Sequence, residues 1–332
     1  MIEQTMPIQW TEQQWRRVLQ IVQDEAGKAR VAARFLPVTG PLPPEQTTVP
    51  KQSLKVGSES LSIDEYETLS VVTLAVNVKL TSAQAAQPDL SSALTIFRKA
   101  AYLIATAEDA LIFGYTEAKP LVLVADDAGK HIVHVTAGSG KQDSLHGTGR
   151  TNTDEMIKPE KQARTAAEEA KGAGEKAAPA DEARKLEEEI ANQTNGIALF
   201  DPGPKTAENL IEMTSRATGE LGKRGHRGPY ALILGNKLYD LAQTPNAGSL
   251  VLPSDRIKEL LNGGQLLRLE ILGKEQAVMV STGGDPIEIV VASDIGVRFL
   301  QVTTDGDSPK YVYRVSERVV LRIKDATAVL AI

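Results

Sequence analysis

The stretch Ser281–Ile332, STGGDPIEIVVASDIGVRFLQVTTDGDSPKYVYRVSERVVLRIKDATAVLAI, decides how the rest of the chain is read. Strand-like runs in it are separated by Gly, Asp and Pro turns. Between Tyr311 and Ile323 the side chains alternate. Tyr311, Tyr313, Val315, Val319, Leu321 and Ile323 fall on one face, with Glu317 as a polar interruption, and Arg314, Ser316, Arg318 and Arg322 fall on the other. Successive strand residues point to opposite faces, so one face can enter a core while the other carries a row of guanidinium groups. Those groups are permanently charged and suit pairing with a carboxylate surface. The stretch holds no His, no Cys and no obvious nucleophile, so it reads as architecture.

Upstream, Thr11–Arg34 reads as an amphipathic helix, with Thr11 as N-cap and Trp15, Val18, Leu19, Val22, Ala26 and Ala29 at three- and four-residue spacing. The Pro-rich run Phe35–Pro44 cannot continue it and predicts an extended arm. The clearest strand is Ser70–Leu80, rich in β-branched residues. The polar piece before it, Lys55–Thr68, predicts a long hairpin. An isolated two-stranded ribbon is marginal in water, so that hairpin needs a partner surface. Asp89–Phe113 predicts a long helix whose stripe is Leu94, Phe97, Ala101, Ile104 and Leu111, capped by Asp89 or Ser91. Leu121–Val135 predicts a hairpin and Gly138–Thr153 a loop. Asp154–Asn192 is dense in Ala, Glu and Lys and predicts a solvated helical insert. Beyond it come a helix over Lys205–Arg224, a strand over Tyr230–Leu234, helices at Lys237–Ala242 and Ser254–Asn262, and strands at Leu266–Ile271 and Gln276–Ser281.

The bulk numbers bound the function. A chain of 332 residues can bury one large core or two smaller ones, and its 42% hydrophobic and 24% charged content is ordinary for a globular protein. A net charge of -6 and 4% aromatic content give no support to nucleic-acid binding. With no cysteine there are no disulfides, thiolate metal sites or cysteine nucleophiles, which fits a cytoplasmic protein. No secretory signal is visible, and no apolar run is long enough to span a membrane.

The search for chemistry is empty. His131 and His134 sit on opposite faces of a strand, His146 lies in a Gly/Ser loop, and His226 sits between Arg224 and Arg227. Gly138-Ser139-Gly140-Lys141 lacks the frame of a phosphate loop, because Gln142 follows the lysine. Glu108-Asp109 are adjacent on a helix and do not face each other, which favours a structural role over an acid pair. The sequence points to no catalytic residue, no cofactor and no metal.

The ordered pieces resemble a known family. WTEQQW with its helix and VTGPL, EDALIFGY at the end of the long helix, GPYALILGNKLYDL, LNGGQLL, VSTGGDPIEIVVASDIGVRFL and YRVSERVVLRI are similar, in order and spacing, to encapsulins, the nanocompartment shell proteins. That resemblance covers roughly Thr11–Tyr115 and Gly196–Ile323. It implies an α+β chain with the HK97-like capsid fold of tailed phages: a P-domain with a spine helix, an E-loop and an A-domain. The implied layout is an N-terminal helix and connector (1–48), the E-loop region (49–82), the spine (83–115), an insertion on the outer surface (116–194), mainly A-domain (195–292), and C-terminal P-domain strands (293–332). The implied activity is self-assembly of copies of the chain into an icosahedral shell in the cytoplasm, enclosing a cargo protein held by a short targeting peptide, with no membrane and no specific nucleic acid.

By the same resemblance, Thr244, Pro245, Asn246, Ala247, Gly248 and Ser249 would line a pore. Val18, Val22, Ala29, Ala33, Asp294 and Ile295 would line the cargo groove. Ala33 and Pro37 replace a basic and an acidic residue of some relatives, which predicts a different polar docking. Arg314, Arg318 and Arg322 are expected to pair with Asp64, Glu65 and Glu67 of a neighbouring subunit, so that reversing Arg318 would hinder assembly and spare the monomer. A phage capsid of the same fold, and an α/β enzyme acting through Glu108-Asp109, are the alternatives. The start of the chain at the groove helix, with no long scaffolding segment, favours the shell.

Overall fold

The computed structural model describes residues 10–56, 60–114, 133–136, 144–145, 148, 206–245, 251–304 and 309–332. The chain divides into two compact units, one of residues 1–144 with 284–325, the other of 145–283 with 326–332.

The first unit is built on a five-stranded sheet in the order β1-β11-β12-β6-β7, comprising β1 (Val38–Thr39), β6 (Val72–Thr81), β7 (Val133–Thr136), β11 (Ile287–Thr303) and β12 (Lys310–Ile323). β12 lies at its centre, antiparallel to both β11 and β6. The alternation read from Tyr311 to Ile323 holds: Tyr311, Tyr313, Val315, Glu317, Val319, Leu321 and Ile323 are all buried. The opposite face is not a bare charged edge. Its Val312 and Val320 are buried and Arg314, Ser316, Arg318 and Arg322 are half-buried, because the Pro-rich arm and the base of the hairpin fold over part of it. A second small core of Val49, Leu69, Val71, Val290, Ala292 and Val320, with Leu42 against it, fills that side.

Two helices cover the main face. α1 (Glu12–Ala29) opens on a reciprocal cap, in which the Thr11 side chain accepts from the Gln14 amide and Gln14 returns the bond, and it buries Val18, Val22 and Ala26. It stops short of the predicted Arg34, giving way to a 3-10 turn at Ala32–Arg34. The spine, α2 (Ser91–Phe113), ends on Gly114 at φ 85, a left-handed cap that suits glycine. Its N-cap is Leu90 rather than Asp89 or Ser91, with Asp89 accepting from the Ser91 amide at 3.3 Å and Gln87 from the Ser92 amide at 3.1 Å. Trp10 stacks on Tyr313 at 4.6 Å between centroids, Phe97 meets Tyr313 edge-on at 5.8 Å, and the Trp10 indole donates to Ala85 O at 2.9 Å. The aromatic contacts join the start of α1, the spine and β12 in one layer.

The arm runs along the sheet edge. Val38 and Thr39 pair in parallel with Ile289 and Val290, and a Cβ on Gly40 would lie 2.0 Å from Val291 O, so only glycine fits where the arm leaves β1. Farther on, β2 (Thr48–Pro50) pairs with β5 (Thr68–Ser70), and β3 (Ser53–Val56) with β4 (Leu61–Asp64), forming the predicted ribbon.

The second unit holds a four-stranded sheet in the order β13-β10-β8-β9: β8 (Tyr230–Leu234), β9 (Leu266–Arg268), β10 (Ala277–Ser281) and β13 (Val329–Ala331). Around it pack α3 (Ala207–Lys223), α4 (Asn236–Gln243) and α5 (Pro253–Leu260) over a core of Leu210, Leu221, Leu232, Leu234, Ile257, Leu261 and Met279. β8 and β10 are buried along their whole length, as expected of continuous apolar strands in the middle of a covered sheet. The block read as 293–332 is therefore divided: β12 belongs to the first sheet, while Val329–Ala331 crosses into the second as the partner of Val278–Val280. Most of the 116–194 insertion, and with it His131, His146 and the Gly138–Lys141 run, lies outside the described residues.

Candidate functional site

Three places on the first unit carry what the sequence singled out: the end of α1, the bulge of β11, and the ribbon. At the end of α1, Arg30 turns inward. Its Nε donates to Glu108 Oε2 at 2.6 Å and its Nη2 to Glu317 Oε1, while Asp294 Oδ1 lies 3.8 Å away. Glu108 and Glu317 are buried, and Arg30 is 16% exposed. One residue on, Asp109 accepts the Val31 amide at 2.8 Å and the Ala32 amide at 2.9 Å, capping the 3-10 turn from the spine. Glu108 and Asp109 thus act as structural anchors on two sides of one turn, as their adjacency implied. Burial raises Asp109 to about 6 against the amides of Ala32 and Val31.

Opposite, the register of β11 on β12 slips between Val291 and Ser293, between Ser293 and Gly296 and again between Phe299 and Gln301, so β11 bulges at Asp294-Ile295. The bulge turns Asp294 outward and Ile295 inward, and Asp294 Oδ1 accepts the Ile295 amide at 2.7 Å. This sorts the expected groove residues. Val18 and Val22 are fully buried at 0% and Ile295 at 2%, so they belong to the core. Ala29 and Ala33 are half-buried and Asp294 is exposed, leaving these three as surface candidates. Arg30 and Glu317 were not singled out, yet Glu317 carried a signal: a carboxylate interrupting an apolar face must find a cation inside.

The arginine row expected at a seam is engaged within the chain. Arg318 donates from Nη1 to Pro44 O and from Nη2 to Gln46 O, both at 2.7 Å, clamping the arm. Arg322 pairs with Glu288 at 2.5 Å, joined by Lys324 at 3.0 Å and by the Thr39 hydroxyl at 2.6 Å. Although burial works to raise Glu288, these donors hold it below the usual carboxylate range. Arg314 Nε donates to Asn77 Oδ1 at 3.0 Å. The ribbon acids also have local partners: Asp64 with Lys55, Glu65 with Gln52 at 2.7 Å, and Glu67 with Lys51 at 3.4 Å. A guanidinium already bonded to two carbonyls or to a carboxylate gains little from a distant second acid.

The ribbon also leaves apolar side chains uncovered. The register sets Leu54 opposite Ile63, and Leu61 two residues from Ile63 shares their face. These side chains are 44%, 60% and 71% exposed, and Tyr66 beyond the strand is 95% exposed. The charged pair Lys55–Asp64 occupies the other face. Of the expected pore residues, Thr244 and Pro245 follow α4, with Thr244 Oγ1 donating to Asp240 O at 2.8 Å, and Asn246–Ser249 lie outside the described residues. Among the described residues no group of His, Asp and Glu could hold a metal ion, and no helix is long and apolar enough to cross a membrane.

The spine helix, the central hairpin and the outlying ribbon define the class: an HK97-like capsid fold. The virus-like particle of Pyrococcus furiosus superposes with a TM-score of 0.59 over 97% of this chain and 100% of that one, at 14% identity. Microbacterium phage Oxtober96 gives 0.52 over 92% and 90% at 12% identity, and Mycobacterium phage Bobi 0.51 over 91% and 89% at 16%. The family described as encapsulating protein for peroxidase matches residues 4–138 and 160–319, and the chain belongs to that family, the encapsulin shell proteins. The type 1 encapsulin shell protein EncA of Myxococcus xanthus (strain DK1622) is 31% identical over 113 residues, 34% of this chain and 38% of that protein, so the match spans under half of that relative. Within the expected insertion, the family match breaks off only between 138 and 160. Family and fold give the chain a structural role.

Proposed function

We propose that copies of this chain close into a cytoplasmic icosahedral shell and that the shell encloses a protein cargo bearing a short targeting peptide. The exposed apolar face of Leu54, Leu61 and Ile63 carries the assembly half of this reading. Burying such a side chain is worth about 1.5–3 kcal/mol, so a ribbon that leaves three in water is best accounted for by a neighbouring copy that covers them. The seam is then apolar at the ribbon, with the Lys55–Asp64 face turned to water. The cargo half rests on family membership and on Ala29, Ala33 and Asp294, the expected groove residues that keep exposure, whose chemistry suits a peptide with apolar side chains and one basic group.

The test is size-exclusion chromatography and negative-stain microscopy of the full chain and of a Leu61→Asp/Ile63→Asp variant. The wild type is expected as closed particles with a co-purifying protein identified by mass spectrometry. The variant is expected as small species with unchanged far-UV circular dichroism and melting temperature. A wild type that stays monomeric under all conditions, or a variant that assembles normally, overturns the assembly reading. Particles filled with nucleic acid instead of protein would favour a capsid.

A further inference from the structure

We propose that Glu108 and Glu317 hold one proton between them around the Arg30 guanidinium, and that losing this proton unlatches the end of α1 from the core. The geometry supplies more buried acid than buried base. Arg30 is bonded to both carboxyl groups at once. Glu317 Oε2 is buried without a hydrogen-bond partner among the described residues. A fully charged carboxylate with a bare buried oxygen is costly, whereas a protonated one carries an O–H that it can donate to the other carboxylate, and the Glu108 and Glu317 side chains interact in that way.

Among the described residues, the surroundings do not supply the missing charge. From the spine, Asp109 adds another acid, although its oxygens are taken by the amides of Val31 and Ala32. Arg34 of the 3-10 turn acts on Asp109 and donates to Lys28 O at 2.6 Å. From β11, Asp294 is a further carboxylate near Arg30. From β6, the residue paired with Glu317 is Leu74, which brings no charge. With one proton present, one carboxyl is neutral and the other balances Arg30. When the O–H bond breaks and the proton passes to water, two buried carboxylates face one cation. Their repulsion is relieved by admitting water, which separates the end of α1 from the spine and β12.

Burial, then repulsion from Glu108, pushes Glu317 above the usual carboxylate range against the pull of Arg30; burial pushes Glu108 up against Arg30, with Asp109 adding to the rise. Both lie above the ordinary 4.5, so the native state holds more protons than the unfolded chain across that window. The latch is complete below the ordinary value and is lost as pH rises through the native ones.

Amide hydrogen exchange of the full-length chain at about pH 6 and about pH 9, corrected for intrinsic rates, reads the latch at Arg30, Val31 and Ala32. Protection at these amides is expected to fall about tenfold or more in the wild type, since each unit of pKa difference is a factor of ten. It is expected to change less than about twofold in Glu317→Gln, which carries the neutral form at every pH. Glu108→Gln is the second variant should the first fold poorly. The wild-type protonated-carboxyl infrared band, lost over the same interval, needs no variant. The proposal is overturned if that band is absent at the lower pH, if it titrates while protection stays constant, or if both variants keep the wild-type pH dependence. All of these readings are independent of whether shells or cargo form.

Discussion

At the scale of single residues, the end of α1 is held by charge in a place that water hardly reaches. Arg30 is raised well above its ordinary value: burial works to lower it, and Glu108 and Glu317 outweigh that effect. Removing one member of such a buried cluster leaves the others uncompensated, which typically costs about 3–5 kcal/mol. Arg30→Met is therefore expected to lower stability by about that amount in urea unfolding, most steeply near neutral and alkaline pH, where both glutamates tend to ionise. Equal loss at acid and alkaline pH would mean that the methylene stem, and not the charge, matters. Arg318 has a different task. Its two bonds to Pro44 O and Gln46 O tie the arm to the sheet, so Arg318→Glu is expected to destabilise the folded subunit itself, by about 1–3 kcal/mol. The sequence had predicted a spared monomer. Comparing the melting temperature of the unassembled variant with that of the Leu61→Asp/Ile63→Asp subunit separates the two outcomes.

At the scale of elements, the fit between backbones matters as much as side-chain packing. In the second unit a Cβ on Gly264 would lie 1.8 Å from Tyr230 O and 2.5 Å from its carbonyl carbon, where β8 and the turn after α5 run together. The turn exchanges hydrogen bonds with β8: Gln265 N donates to Tyr230 O at 3.1 Å and Leu232 N to Gln265 O at 2.8 Å. Gly264→Ala must push that turn away from the strand, and a loss of at least the ~1–3 kcal/mol typical of overpacking is expected by calorimetry. In the first unit the element that changes most between sequence and structure is β12. Its alternation correctly marks the face toward the helices, yet both faces of the strand are covered. A period of two specifies which residues share a face and says nothing of what lies over it.

At the scale of the whole molecule, the arginine row of β12 finds its partners within the chain, while a patch of apolar side chains is left uncovered on the ribbon. That imbalance is what an assembling subunit requires: a stable interior of its own and an outlying surface finished by another copy. It favours Leu54, Leu61 and Ile63 over the Arg314–Arg322 row as the proposed seam. The latch at Arg30 is a separate property of the subunit, set by proton balance rather than by contact with neighbours.

For the described residues, most helices and strands were legible in order and type from the chain alone, because capping residues, Pro and Gly breaks and the 3.6- and 2-residue periods are local signals. Thr11 as N-cap, the Pro-rich arm and the alternation of Tyr311–Ile323 are all legible without coordinates. The order of its motifs also carried the family. Only the tertiary structure decided which charges meet. Arg30 reaches Glu108 across 78 residues and Glu317 across 287, and Arg318 reaches Pro44 across 274. Partners so distant are set by strand register and by the β11 bulge. The same packing turned Val18, Val22 and Ile295 from groove candidates into core: a helical stripe or a strand face announces that it is apolar, but whether it meets its own protein or a ligand depends on what folds against it.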